Sequence, residues 1–141
     1  MRYPLDELLD KRSIVQLKIE NFSDKEADKR RLEKEYQDYT CAIIEYINEN
    51  VCTKEQVERW HKELYDANKR TWNLEADIRK GQIGHLTLEE IGKTAIAIRE
   101  SNGIRVGIKS KIVRETGVGY KEIKINHASQ DTLNEYLRNY K

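Results

Sequence analysis

The sequence predicts an all-α fold: an antiparallel bundle of long helices with a short extended C-terminal segment. Three observations carry that expectation. Apolar residues recur at three- and four-residue spacings over long stretches. Ser23, Thr53 and Thr87 each precede such a stretch, and each has Glu or Gln three residues later, the pattern of a helix start. The single proline, Pro4, stands at the very beginning, so it breaks no helix interior.

The first helix opens after Pro4, which suits the first helical position. Asp6 and Glu7 complement the positive end of its dipole. Its apolar stripe is Leu5, Leu8, Leu9, Val15 and Ile19, with Arg12 and Gln16 inside it, and Asn21-Phe22 reads as a break. The box Ser23-Asp24-Lys25-Glu26 opens a second helix to about Asn50, striped by Leu32, Tyr36, Tyr39, Ile43, Tyr46 and Ile47. Its first turns are highly charged and read as projecting into solvent.

The box Thr53-Lys54-Glu55-Gln56 opens a third helix to about Lys80, buried along Val57, Trp60, Leu64, Ala67, Thr71, Leu74 and Ile78. Gly81 and Gly84 mark a turn. Thr87 caps a fourth helix from Leu88 to about Thr116, with Gly103 and Gly107 in its interior. Gly117-Val118-Gly119 ends it. Residues 116–128 then read as extended, because Ile123, Ile125 and His127 alternate with Glu122, Lys124 and Asn126. Residues 129–140 read as a short terminal helix capped by Ser129. No repeat or linker divides the 141 residues, so residues 1–141 read as one helical domain.

Composition narrows the function classes. Charged residues make up 36% and hydrophobic ones 38%, which fits amphipathic helices with solvated outer faces. The 26 basic side chains balance 25 acidic ones, whereas a nucleic-acid binder shows a basic excess or a basic face. The segment from Lys93 to Lys124 is nonetheless locally cationic. No apolar run approaches the ~20 residues of a membrane span, and no secretory leader is legible. Cys41 and Cys52 form no CxxC motif and read as reduced thiols of a cytoplasmic protein, in a host cytoplasm if phage-encoded.

The most informative feature lies in the fourth helix. Leu88, Ile91, Ala95, Ile98, Ile112 and Val113 fall on one helical face, and Asn102, Arg105 and Lys109 fall in the gap of that same face. The third helix likewise carries Asn68 and Glu75 near the centre of its apolar side. Polar groups on faces built for burial need partners. Either they form a register-fixing network, or they line a site. As a site, Arg105 and Lys109 would neutralise phosphate, with Glu75 supplying one counter-charge within the seam. Asn68 and Asn102 would fix polar edges, Trp72 would stack, and Lys124 and His127 would close the pocket.

Catalytic motifs are not legible. Glu58-Arg59-Trp60-His61 has the Glu-x-x-His spacing of carboxylate-bridged metal bundles but no second copy. Glu55/Glu58 and Glu63/Asp66 are acidic pairs crowded on one helix, which does not build a hydrolase metal site across two helices. There is no Walker loop, GxGxxG or GxSxG. No catalytic residue, metal or cofactor is therefore expected.

Leu5-Asp6-Glu7-Leu8-Leu9-Asp10-Lys11-Arg12-Ser13-Ile14-Val15-Gln16-Leu17-Lys18-Ile19-Glu20 resembles the "ELLDKLSIL-x-IK-x-E" opening of uncharacterised long-helix proteins of bacteria and their phages. Arg12 stands where leucine is usual in that opening. Trp72–Asp77 and Ile98–Arg105 are similar to their later helices. The resemblance implies a long-helix fold and carries over no activity. Two expectations stay open. One is a non-enzymatic, homo-oligomeric protein that binds or sequesters a small anionic, nucleotide-like ligand, as a phage counter-defence protein would. The other is a helical structural or adaptor protein acting by protein–protein assembly.

Overall fold

In a computed structural model, residues 2–21, 26–80 and 87–120 are described, and they form four helices without a strand. These are α1 (Leu5–Asn21), α2 (Glu26–Asn48), α3 (Lys54–Lys80) and α4 (Leu88–Thr116). The expected extended segment beyond residue 120, the terminal helix at 129–140, the Ser23–Glu26 box and the Gly81–Gly84 turn lie outside the described residues.

The helix ends follow from local chemistry. Pro4 sits one residue outside α1, where its carbonyl accepts the first helical bond, from Leu8 N at 3.0 Å. The Thr53–Gln56 box closes reciprocally: Thr53 Oγ1 accepts from Gln56 N at 3.1 Å, and Gln56 Oε1 accepts from Thr53 N at 2.8 Å. Thr87 Oγ1 likewise accepts from Glu90 N at 3.1 Å. After α2 the chain turns through Asn50 at φ 62°, with Val51 N donating to Tyr46 O and Asn50 N to Ile47 O. That is a Schellman closure, with asparagine in the left-handed position usually held by glycine. Gly117 at φ 71° caps α4, and its N–H donates to Val113 O at 2.8 Å.

α1 is the central helix, packed against α2, α3 and α4. Leu5, Leu8, Leu9 and Val15 are buried as their stripe predicts, and so is Leu17 on another side. The helix carries two inward faces, the second being Asp6, Asp10, Ser13 and Leu17, spaced four, three and four residues apart. α2 runs antiparallel to α1: Tyr46 donates its hydroxyl to Tyr3 O at 2.9 Å, and Thr40 meets Arg12. α3 and α4 form an antiparallel hairpin, since Ser101 meets Ala67 and Thr71. The main core joins Leu5, Leu8 and Leu9 of α1 to Ile43, Tyr46, Cys52, Val57, Trp60, Leu64 and Ile112. Cys41 is an exposed free thiol and Cys52 a buried one.

The apolar stripe expected along all of α4 is buried only at its C-terminal end. Ile112 and Val113 are in the core, Ile91 and Ile98 are half-buried, and Leu88 is 88% exposed. The cause is length. The polar contacts of α1 with α4 fall at Arg105 and Lys109, so among the described helices α3 is the main neighbour of the first turns of α4.

The two ends of this hairpin should therefore respond differently to truncation. Leu9→Ala, at a fully buried position of the central helix, should lose roughly 2–5 kcal/mol of unfolding free energy in urea titrations. Leu88→Ala should stay within about 0.5 kcal/mol of the parent.

Candidate functional site

The polar seam is a network centred on Asp10, a residue of α1. The Asp10 side chain is 5% exposed. Its Oδ1 accepts from Asn68 Nδ2 at 2.9 Å, and that amide also donates to Ser13 Oγ at 2.8 Å. Ser13 in turn donates to Asp10 O at 2.7 Å. The other carboxylate oxygen faces α4. Arg105 Nε lies 3.3 Å from Asp10 Oδ2, an ion pair too oblique for a hydrogen bond. Lys109 Nζ lies 3.8 Å from the same oxygen and donates to Glu7 Oε1 at 2.6 Å. The buried carboxylate thus takes a neutral donor from α3 and two cations from α4, which is what a charge removed from water requires.

Of the residues singled out in the sequence, Asn68, Arg105 and Lys109 are brought together. Trp72 and Asn102 are half-buried and Glu75 is exposed; none of the three makes a hydrogen bond to the Asp10 group among the described residues. Glu75 is not the anion expected for Arg105 and Lys109. Asp10 and Glu7 fill that role, because α1 rather than α3 faces the cations. Lys124 and His127 lie outside the described residues.

Sequence reasoning missed Asp10, Glu7 and Ser13. Glu7 read as dipole-complementing charge, and Asp10 and Ser13 fell outside the apolar stripe assigned to the first helix. The one available signal was Leu17, an apolar residue off the main stripe of α1 and in line with Asp6, Asp10 and Ser13. It also missed Ser101, which is fully buried. Its Oγ donates to Ala67 O at 3.1 Å and accepts from Thr71 Oγ1 at 2.9 Å, joining α3 to α4 one turn from the Asp10 group.

Beside the network, a cleft of about 220 Å³ opens between the first turn of α1 and the end of α4. Asp6, Glu7, Lys109, Val106, Val113 and Tyr120 line it. Asp6 is buried, and its Oδ1 has no hydrogen-bond partner. Burial pushes its carboxyl pKa up, Glu7 adds to that, and Lys109 opposes it. Gly119 closes over this end at φ 118°; a Cβ there would stand 2.8 Å from Val113 Cγ2 and 2.9 Å from Asp6 Oδ1.

A second polar cluster lies on the other side of α1. Arg12 is buried, donating through Nε to His61 Nδ1 at 3.1 Å and through Nη1 to Thr40 Oγ1 at 3.2 Å. Its guanidinium stands 5.4 Å from the Tyr36 ring centre. His61 Nε2 pairs with Gln16 Oε1 at 2.7 Å. The guanidinium can only donate, so Nδ1 accepts and Nε2 carries the proton, which makes His61 neutral. Burial first, and the Arg12 charge second, bring the His61 pKa down to about 4. Both ring nitrogens are engaged, so His61 has no free lone pair for a metal. Among the described residues, no group of His, Cys, Asp and Glu could hold one. Nor is any described helix long and apolar enough to cross a membrane.

Comparison with protein-family models finds no match, and neither does comparison with curated proteins or with solved structures.

Two measurements test these clusters. Arg105→Ala combined with Lys109→Ala leaves the Asp10 carboxylate buried without a cation. This should cost on the order of 3 kcal/mol of stability, read from urea unfolding. The His61 cluster sets a pH dependence. The ring titrates lower in the folded chain than in the unfolded one, so its contribution is complete above about 6.5 and is lost as pH falls towards about 4. Asp6, titrating higher when folded, acts with the opposite sign. The difference between the parent and His61→Gln therefore isolates the histidine. The parent should lose on the order of 2 kcal/mol more than the variant between pH 7 and pH 4, after discount for the ring's partial exposure.

Proposed function

We propose that the protein is a non-catalytic helical adaptor that acts by protein–protein assembly, with the outward face of α4 as its contact surface. The observation that carries this reading is the character of that face. Ile96 is 57% exposed near the middle of that face, and Leu88 and Ile104, 88% and 50% exposed, lie eight residues before and after it, each about 80° round the helix to one flank. Gly92, Gly103 and Gly107 lie among them, and a Cβ added at any of the three would meet nothing within 4 Å. Each interior glycine weakens a helix by about 1 kcal/mol relative to alanine, and packing within the described chain gives no reason for these three. Large apolar groups beside gaps in a helix surface are what close approach of another chain requires.

The anionic-ligand reading has less support. It rested on two cations in want of anions, and Asp10 and Glu7 meet that want. The adjacent cleft sets two carboxylates against one ammonium, the wrong balance for a phosphate. Its volume also falls below the roughly 300 Å³ at which ordinary ligand pockets begin.

A photo-cross-linking amino acid, p-benzoylphenylalanine, placed at Ile104 tests the proposal in the cells that produce the protein. A discrete adduct above the 16.7 kDa chain is expected. The same group at exposed Lys62 of α3 should give none. Absence of an adduct from Ile104, or equal adducts from both positions, would overturn the contact face.

A further inference from the structure

We propose that Gly119 and Tyr120 form a strap over the first turn of α1, closed while the Asp6 carboxyl holds a proton and lifted when it ionises. This is independent of the outward face of α4. Packing sets the problem. Asp6 is 7% exposed, and its Oδ1 is shut off from water with no hydrogen-bond partner among the described residues. The backbone of Gly119 lies against it. A Cβ at that position would stand 2.9 Å from Asp6 Oδ1, 2.8 Å from Val113 Cγ2 and 3.6 Å from Pro4 Cβ. So close an approach, at φ 118°, is open to glycine and to little else.

A proton decides whether that packing is tolerable. A neutral carboxyl can be sealed at modest cost, whereas a carboxylate sealed without a donor cannot. The charges around Asp6 do not supply the missing partner. On α1, Glu7 adjoins it and Asp10 lies one turn on. From α4 the facing cation is Lys109, but its ammonium donates to Glu7 Oε1 at 2.6 Å and stands 3.8 Å from Asp10 Oδ2. Arg105 is turned to Asp10. The strap brings only the Tyr120 phenol, and the residues before α1 bring Pro4. Burial first, and Glu7 second, outweigh Lys109 and the amides of Asp6's own turn, so Asp6 holds its proton to a higher pH than an ordinary carboxyl.

The strap can lift without unfolding the bundle. Val118 packs against the main core between two glycines, Gly117 at φ 71° and Gly119 at φ 118°. Gly117 is held by its N–H to Val113 O at 2.8 Å. Rotation at Gly119 therefore moves the strap and leaves α4 capped. Lifting admits water to Asp6 Oδ1 and widens the cleft of about 220 Å³ beside Val113.

Nuclear magnetic resonance of the isotope-labelled full chain tests this. The Asp6 side-chain carbon reports its titration, and the heteronuclear NOE of the Gly119 and Tyr120 amides reports their motion. As pH rises, both NOE values should fall, with the midpoint of the Asp6 titration. In Asp6→Asn, uncharged throughout and retaining His61, they should keep their low-pH values over the same range. Gly119→Ala forces the strap off. Coupling between strap and proton is reciprocal, so Asp6 should then titrate lower, towards the usual carboxylate range. NOE values that stay constant through the Asp6 midpoint, a strap that loosens equally in Asp6→Asn, or an Asp6 midpoint unmoved by Gly119→Ala would each overturn the proposal.

Discussion

The fold depends on one buried carboxylate. Asp10 sits on the central helix where α3 and α4 both approach, and its two oxygens are divided between them: Asn68 serves one, Arg105 and Lys109 the other. Such a group contributes little net stability against an apolar replacement, because desolvation consumes most of what the ion pairs return. Its weight lies in what it forbids. Sliding α4 by one turn, or rotating α3 so that Asn68 leaves, strands a charge away from water. Leucines packed on leucines would tolerate such shifts at much lower cost. Ser13 and Ser101 extend the same constraint to the α1–α3 and α3–α4 contacts.

Arg12 presents the complementary problem on α1's other face. It is a buried cation, and the structure meets it with a neutral histidine, a threonine hydroxyl and the face of a tyrosine ring rather than with a carboxylate. The arrangement holds only while His61 stays unprotonated. Besides the buried Asp6, the central helix therefore turns inward one carboxylate met by opposite charge and one cation met by neutral groups. The His61 cluster fails once its acceptor gains a proton.

The helices were legible because their signals are local. Thr53 with Gln56, Thr87 with Glu90, and Gly117 each lie within one turn of the boundary they set. The stripes of α2 and α3 reported their buried faces for the same reason. Half of the polar network was legible too: Asn68, Arg105 and Lys109 announce themselves as polar groups on apolar faces. Their counter-charge did not. Asp10 lies 58 residues from Asn68, and Glu7 lies 102 from Lys109. An acid near a helix start also has an ordinary surface explanation in the dipole. Glu75 was the natural choice from sequence because its helix is the nearest neighbour of α4 along the chain. The assumption that failed was that α1 has only one buried side. Arg12 reads in the same way: it is a departure from the apolar stripe whose reason, His61, lies on another helix.

The network and the outward face of α4 are two aspects of a single constraint. Arg105 and Lys109 point inward at the level where Gly103 and Gly107 stand on the opposite side. A helix rotates by about 100° per residue, so rotation by one position would pull a cation off Asp10 and turn the glycines towards α1 or α3. Fixing the cations therefore fixes which residues α4 turns outward. The N-terminal turns of α4 have no such lock. Among the described residues no side chain of α4 before Ser101 is buried, so local opening costs little there. A partner helix along this face would supply the missing second side. The stability it contributes would fall on these turns, while the Asp10 end, already closed within the chain, sets the orientation in which the partner is met.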